Sequence, residues 1–266
     1  MKIDYRETTN DLLKRIDIHS QYGSRNIDEW MLDIIKLEKG MKILDVGCGA
    51  GKQCFSYHNF LNGEGDITGG DVNEELLSQA KSENQKRGTG INFVELDFNK
   101  TFPIEDNLYD FESCCFAIYY AEDIPFTIRE MHRVLKPGGR LFSSGPMPTN
   151  KQFFYDIIRE ATGKEIPPMP GSSRYSTQIL DAMKSTFSKV EVHIFENHLT
   201  FESVDPFIAY TRASLSEDRK LWSTFFETKD DFEKIMKSIT EVSEKHLNEN
   251  GKLVMTKVVG GFIATK

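Results

Sequence analysis

An α/β fold built on a parallel sheet is what this chain predicts, and three observations carry the prediction. Apolar runs of strand length alternate with stretches of helical periodicity from residue 42 to residue 145, the pattern of βαβ units around a sheet buried on both faces. The run Ile43-Leu44-Asp45-Val46 passes directly into Gly47-Cys48-Gly49-Ala50-Gly51, so that a strand end meets three alternate glycines. That spacing suits a sharp turn, a bare backbone that a ligand approaches, and a helix whose free N–H groups face the ligand. The third observation is bulk: 266 residues, 39% hydrophobic and 28% charged, hold one large core or a core with an elaborate insert.

The elements follow in order. Residues 7–20 are mixed and weakly periodic, a short helix. From Asn26 to Leu37 the pattern is clearer: Asn26 with Glu29 resembles a capping box, and Ile27, Trp30, Met31 and Ile34 fall at helical spacing. Strand 42–46, helix 51–61 and strand 66–71 come next, then a helix over 74–87 carrying Leu76, Leu77 and Ala80, with Asn73 as its N-cap. Strands 91–96 and 109–118, a helix over 124–135 and a strand over 139–145 complete the first half. Lys136-Pro137-Gly138-Gly139 reads as a helix stop and a tight turn.

The second half is less regular. Residues 150–163 form a helix with Phe153, Phe154, Ile157 and Ile158 on one face, and Pro167-Pro168-Met169-Pro170-Gly171 reads as a rigid, non-helical linker. A helix over 174–187 leads to a strand from Val190 to Phe201, and the last strand appears only at Leu253 to Thr265. Between them, Phe232, Ile235, Met236, Ile239, Val242 and His246 trace an amphipathic helical face.

The glycine spacing separates ligand classes. A dinucleotide turn wants Gly-x-Gly-x-x-Gly, and Lys52 stands where the third glycine belongs. A Walker loop wants Gly-x-x-x-x-Gly-Lys-Ser/Thr, and Val46 and Gln53 occupy the first glycine and hydroxyl positions. A net charge of −8 without any run of lysines or arginines disfavours DNA or RNA, whose binding rests on neutralising phosphates. No stretch reaches the ~18 apolar residues of a membrane span, and Met-Lys-Ile-Asp-Tyr-Arg-Glu at the start lacks an apolar signal core. Cys48, Cys54, Cys114 and Cys115 form no C-x-x-C pair. They read as buried thiols, with no metal expected, and fit a reducing cytoplasm.

Five segments in order resemble the class I S-adenosylmethionine-dependent methyltransferases of the small-molecule, ubiquinone/menaquinone type. Residues 43–51 resemble motif I, Gly70-Asp71-Val72-Asn73 the second-strand acid, and Glu95-Leu96-Asp97-Phe98 the acid after strand three. Tyr109-Asp110-Phe111 is similar to the opening of strand four, and Glu130 to Gly139 to the E-x-x-R-V-L-K-P-G-G helix end. The resemblance implies a Rossmann-like, seven-stranded, mostly parallel sheet with an antiparallel last strand. Here a helical cap is inserted between strands six and seven. The domains expected are a helical segment at 1–40, a cofactor-binding core at 41–201 and 252–266, and the insert at 202–251. With 11 acidic and 7 basic residues over 201–251 the insert is no nucleic-acid clamp. A lid over the substrate and a buttress or dimerisation surface are its two readings, and the second leaves a homodimer open.

The resemblance also implies S-adenosylmethionine as methyl donor, S-adenosylhomocysteine as product and a small-molecule acceptor. Ribose hydroxyls ask for paired acceptor oxygens, which Asp71 supplies beside Val72; the plain alternative for Asp71 is a helix cap. By resemblance Asp97 reaches the adenine amino group, Phe98 lends its backbone N–H, and carbonyls around Cys115 and Phe116 hold the methionine ammonium. Gly47, Cys48, Gly49 and Gly51 form the turn, and Asp45 holds it or meets the ammonium through water. Asp97 as a turn residue, Phe98 and Phe116 as core, and Cys48 as a small filler are the alternatives. In-line displacement asks mainly for alignment and exclusion of water, so no catalytic dyad is required and none is visible. Tyr119-Tyr120 stands where many relatives carry paired histidines, and Tyr119, Tyr120, Tyr175 and Tyr210 are the substrate-wall candidates. Cys115-Phe116-Ala117-Ile118 is not the Asn/Asp-Pro-Pro-Tyr/Phe of nucleic-acid amino-methyltransferases. The second functional class is a non-catalytic S-adenosylmethionine-binding protein, a sensor or partner subunit.

Overall fold

The computed structural model describes residues 9–266. Seven strands form one sheet: β1 (Lys42–Val46), β2 (Asp66–Asp71), β3 (Asn92–Glu95), β4 (Tyr109–Cys115), β5 (Leu135–Pro146), β6 (Lys189–Phe201) and β7 (Leu253–Thr265), in the order β3-β2-β1-β4-β5-β7-β6. Strands β1 to β5 pair in parallel and β7 runs antiparallel to β5, as the expected fold class requires. Strand order reverses at β1, where the chain first runs outward through β2 and β3 and later returns to β4 on the other side. Open α/β sheets bind ligands beyond the carboxyl ends of strands at such a switch. In β1 the residues from Ile43 to Val46 are all buried, so the strand bearing the glycine turn is fixed by both its neighbours.

Two compact units divide the chain. The first comprises residues 27–147, 170–195 and 259–266 and holds most of the sheet. Its helices include α1 (Ile27–Ile35), α2 (Lys52–Phe60), α3 (Glu74–Arg87) and α4 (Ile124–Val134). Met31 and Ile35 pack with Ile43, Phe111, Phe142 and Ile263 in one apolar cluster, and the Trp30 ring lies 5.1 Å from that of Phe195. The segment from Ile27 therefore belongs to the sheet unit. The 1–40 segment drawn from the sequence is divided after Asn26, and its residues 1–8 lie outside the described range.

The second unit gathers the described part of residues 1–26 with 148–169 and 196–258. It contains α5 (Thr9–Tyr22), α6 (Gln152–Thr162), α7 (Val204–Ala213), α8 (Arg219–Trp222) and α9 (Lys229–Asn250). The 202–251 insert is helical, but it does not form a cluster of its own. Ile18, Phe154, Ile157 and Ile158 share one apolar core with Phe207, Trp222, Met236 and Ile239, so helices outside the insert complete its packing.

Three local boundaries differ from expectation for physical reasons. Strand β4 stops at Cys115 because Phe116 turns into the left-handed region (φ 55°). A 3₁₀ turn, Ile118–Tyr120, follows. Strand β5 starts at Leu135, and the Lys-Pro-Gly-Gly segment forms an irregularity in it: the register with β4 shifts between Tyr109 and Phe111, and Gly138 has φ 76°. The Pro-rich linker ends early, since Pro170 opens a helical turn, α10 (Pro170–Arg174). A proline suits that first position because its missing N–H would have no partner there. A π-helical turn, Tyr175–Ile179, and α11 (Leu180–Thr186) continue it.

Candidate cofactor and acceptor site

The turn after β1 is held from below by β2. Backbone N–H groups of Gly47 and Cys48 both donate to the Gly70 carbonyl, at 2.8 and 3.0 Å. The N–H of Gly49 donates to Asp71 Oδ2 at 2.8 Å, and Asn73 N–H donates to Asp71 Oδ1 at 2.9 Å. Asp71 thus braces the turn, while the cap of the following helix is Asn73, whose Oδ1 accepts from Leu76 N–H. Gly47 and Gly49 have φ of 72° and 54°, where a side chain is strained. A Cβ on Gly47 would also stand 2.6 Å from that of Ala117, so the turn and the segment after β4 approach at van der Waals distance.

Beneath the turn, Asp45 is buried. Its Oδ1 accepts from the Ser113 hydroxyl at 2.6 Å and its Oδ2 from the Cys54 thiol at 3.6 Å. Burial pushes its carboxyl up to about 7, opposed by the hydrogen bonds from Ser113 and Cys54 and aided by the charge of Asp71. Burial also pushes the Cys115 thiol up to about 12, and the Cys48 thiol donates to the Gly49 carbonyl at 3.6 Å. Cys115 is thus not placed as a thiolate nucleophile.

Asp45, Gly47, Cys48, Cys115 and Phe116 converge on a cleft of about 170 Å³, which Ile27, Asp28 and Met31 of α1 and Lys52 and Gln53 of α2 close. The volume is below the ~300 Å³ at which pockets for drug-sized ligands begin, so the cleft suits one end of an elongated ligand. Lys52 Nζ meets Asp28 Oδ1 at 2.9 Å. Asp28, Met31 and Gln53 are lining residues that sequence reasoning missed; helical periodicity marks them only as one face of an ordinary packing helix.

The remaining expected residues lie around this centre. Val72 is 53% exposed, an apolar side chain standing in the open beside Asp71. Asp97 accepts from Asn99 N–H at 2.9 Å and pairs with Lys100 at 3.0 Å, contacts that hold its carboxyl below the usual range. The Phe98 carbonyl accepts from Thr127 Oγ1 at 2.9 Å, while its ring packs on the core beside the turn. Tyr119 and Tyr120 stack obliquely with centroids 4.7 Å apart, and Tyr120 is 71% exposed.

Tyr175 is fully buried. Its ring stacks on Phe262 at 4.5 Å and its hydroxyl donates to the Ser143 carbonyl at 2.7 Å. Gly145 and Gly260 leave the room it fills, since a Cβ on either would meet the ring at 2.5 and 3.1 Å. Expected as a substrate-wall candidate, Tyr175 has no exposed surface and is packed between β5 and β7. Tyr210 belongs to the second unit, fully buried, with its hydroxyl donating to Glu217 at 3.3 Å and accepting from Lys257 at 3.2 Å. Among the described residues no group of three His, Cys, Asp or Glu is arranged to hold a metal, and no helix is long and apolar enough to cross a membrane.

Comparison with known proteins bears on family and fold. A family profile described as a methyltransferase domain matches residues 37–182. The chain is 29% identical over 114 residues to the ubiquinone/menaquinone biosynthesis C-methyltransferase of Idiomarina loihiensis, covering 42% of this chain and 45% of the relative. It is 31% identical over 132 residues to the demethylmenaquinone methyltransferase of Staphylococcus aureus, covering 47% and 54%. The chain thus spans about half the length of these curated relatives. Among solved structures, the YcgJ protein from Bacillus subtilis superposes with a TM-score of 0.57 at 16% identity, over 90% of this chain and 97% of that one, a likeness of fold.

Proposed function

The chain belongs to the methyltransferase domain family, and from that premise we propose that it transfers a methyl group from S-adenosylmethionine to a small-molecule acceptor by in-line displacement. The observation that carries the proposal is the bracing of the glycine turn by Asp71, which aims a carboxylate and a side-chain-free backbone at the same surface. When bound, S-adenosylmethionine supplies a methyl carbon already activated by its sulfonium.

The chain's own residues do the rest. Each Asp71 oxygen accepts one backbone N–H and keeps a lone pair, so the carboxylate can receive the two ribose hydroxyls without releasing the turn. The exposed Val72 and the ring of Phe98 offer apolar faces for adenine, with Asp97 beside them. Cys115, Phe116 and the buried Asp45 line the 170 Å³ cleft, where backbone carbonyls and a carboxyl suit the ammonium of the methionine end. Tyr119 and Tyr120 present aromatic rings to the acceptor side, where their faces attract a sulfonium and exclude water. No side chain is assigned as a general base, since a carbon bound to sulfonium needs alignment first and a base only for a nucleophile that must lose a proton. The acidic balance of the chain, −8 overall, supports a small molecule over nucleic acid.

Calorimetry tests the reading. S-adenosylmethionine and S-adenosylhomocysteine should bind, and NAD and ATP should not; tighter binding of NAD would overturn it. Turnover of S-adenosylmethionine to S-adenosylhomocysteine with a metabolite extract separates an enzyme from a protein that only binds the cofactor.

A further inference from the structure

We infer that Arg174 is a positioning residue for the loop that carries Tyr119 and Tyr120, acting as a clamp between that loop and the β5 end of the sheet. The inference rests on the proposed function in one respect, that the loop faces the acceptor. The clamp itself is geometry. Arg174 Nη1 donates to the Tyr119 carbonyl and Nη2 to the Ala121 carbonyl, both at 2.7 Å, and Nε donates to Gln178 Oε1 at 3.4 Å. A planar fork can serve two carbonyls two residues apart; a lysine ammonium, a point charge on a flexible stem, cannot hold both in one orientation.

The loop needs such a clamp. The strand ladder ends where Phe116 N–H donates to the Ser144 carbonyl at 2.8 Å, and Phe116 then leaves the sheet in a left-handed conformation. Within the 3₁₀ turn of three residues, Tyr120 N–H donates to the Ala117 carbonyl and Ala121 N–H to that of Ile118. Its later carbonyls therefore depend on outside donors. Arg174 supplies two from one side chain, and Gly171 of α10 lies against the Tyr119 ring, with its Cβ position 3.6 Å away.

The arginine is in turn immobilised by its neighbour. Tyr175 is locked by the stack on Phe262 and the hydrogen bond to the Ser143 carbonyl of β5. Consecutive residues thus grip two places: Tyr175 the strand, Arg174 the loop after β4. The π turn that begins at Tyr175 widens the helix by one residue, a feature concentrated at functional sites, and here it places the two side chains on different anchors.

Hydrogen exchange on the ligand-free protein tests the clamp, with calorimetry of S-adenosylhomocysteine as a separate arm. In Arg174→Ala, amides 117–121 should exchange about 10–100-fold faster, the loss expected for two charge-assisted bonds. Amides of β1 and β2, and S-adenosylhomocysteine affinity, should stay within about three-fold. Arg174→Lys, which keeps the charge and serves one carbonyl, should fall between. With a metabolite extract as acceptor source, kcat should drop at least about ten-fold while KM for S-adenosylmethionine is unchanged. Unchanged exchange at 117–121 overturns the inference, as does acceleration spread evenly over β4, β5 and α11. Should Arg174→Ala fail to fold, the same readouts on Arg174→Lys decide. Failure of wild-type protein to bind S-adenosylhomocysteine would sink the functional reading and leave the exchange result standing.

Discussion

The backbone N–H of Gly49 donates to the carboxylate of Asp71 at 2.8 Å, across 22 positions of sequence. One residue thereby joins the turn after β1 to the end of β2 before any ligand arrives. Asp71→Ala should weaken S-adenosylhomocysteine binding by roughly 10–100-fold, because it removes both the hydroxyl acceptor and the brace. Asp71→Asn should be nearly as damaging: its amide NH₂ must face one of the two backbone donors that now point at oxygen. Calorimetry on both variants, with circular dichroism to confirm the fold, checks this. An Asn variant with wild-type affinity would show that charge and pairing there are unimportant.

The two turn glycines should respond differently. Gly49 has open space, with Leu76 at 3.8 Å from a notional Cβ, so Gly49→Ala suffers mainly from its left-handed φ, about 1 kcal/mol. Gly47→Ala adds a clash with Ala117 at 2.6 Å. We expect Gly47→Ala to cost clearly more stability, and Ala117→Gly to recover part of that excess in the double variant. Urea denaturation of the three proteins measures it; equal costs for Gly47→Ala and Gly49→Ala would refute the packing argument.

How much of this was legible in the sequence depends on the range of the interaction. The strand–turn–helix around Gly47–Gly51 and the acid at Asp71 are local patterns, and the cap at Asn73 follows from residue type alone. The brace from Asp71 to Gly49 is a contact between strand ends that no spacing encodes. The burial of Tyr175 is not legible, because an aromatic in an irregular stretch carries no mark of depth. The relevant signal lay elsewhere, in Gly145 and Gly260, since glycines inside strands often mark a close approach. Arg174 was invisible for the same reason as Asp28: its partners are carbonyls and side chains far along the chain.

Asp45 should give the fold a pH dependence of defined sign. Its carboxyl sits near 7 in the folded protein, raised mainly by burial, against about 4 in an unfolded chain. The folded state therefore binds more protons between these values, and stability falls as pH rises from about 4 to about 7, then levels off. Asp45→Asn should flatten that slope, by no more than about 4 kcal/mol over the window. Urea midpoints at pH 5, 6, 7 and 8 report it, and an unchanged slope would place the ionisation elsewhere.

Glu112 acts with the same sign. Both its oxygens are buried without a partner among the described residues, and burial holds its carboxyl well above the usual range despite Lys266 and Arg133. Stability is again present below the unfolded value and lost as pH rises towards the folded one. Glu112→Gln should leave stability at pH 5 nearly unchanged and raise it at pH 9, where the wild-type fold must either bury a charge or keep a proton that the unfolded chain releases. Destabilisation at both pH values would mean that the carboxyl has a partner which the amide cannot replace.

The last prediction concerns the second unit, where Lys151 and Asp218 are each 2% exposed in their side chains and meet at 2.7 and 2.9 Å. Lys151 stands in a left-handed conformation, φ 60°, before α6, with Tyr155 donating to Asp218 Oδ1 at 3.2 Å. Burial opposes the lysine's charge, but Asp218 and Glu217 outweigh it and hold the ammonium protonated. A buried pair of this kind is expensive to break and less so to replace. Lys151→Met should cost about 3–5 kcal/mol, because it strands the Asp218 charge in the core, and Asp218→Asn less, because Glu217 still lies 3.4 Å from the ammonium. The double variant Lys151→Met/Asp218→Asn should cost well under the sum, with a coupling of at least ~2 kcal/mol. A double-mutant cycle by urea denaturation reads that coupling, and additive costs would show that the two residues act through separate contacts, Lys151 through Glu217 and Asp218 through Tyr155.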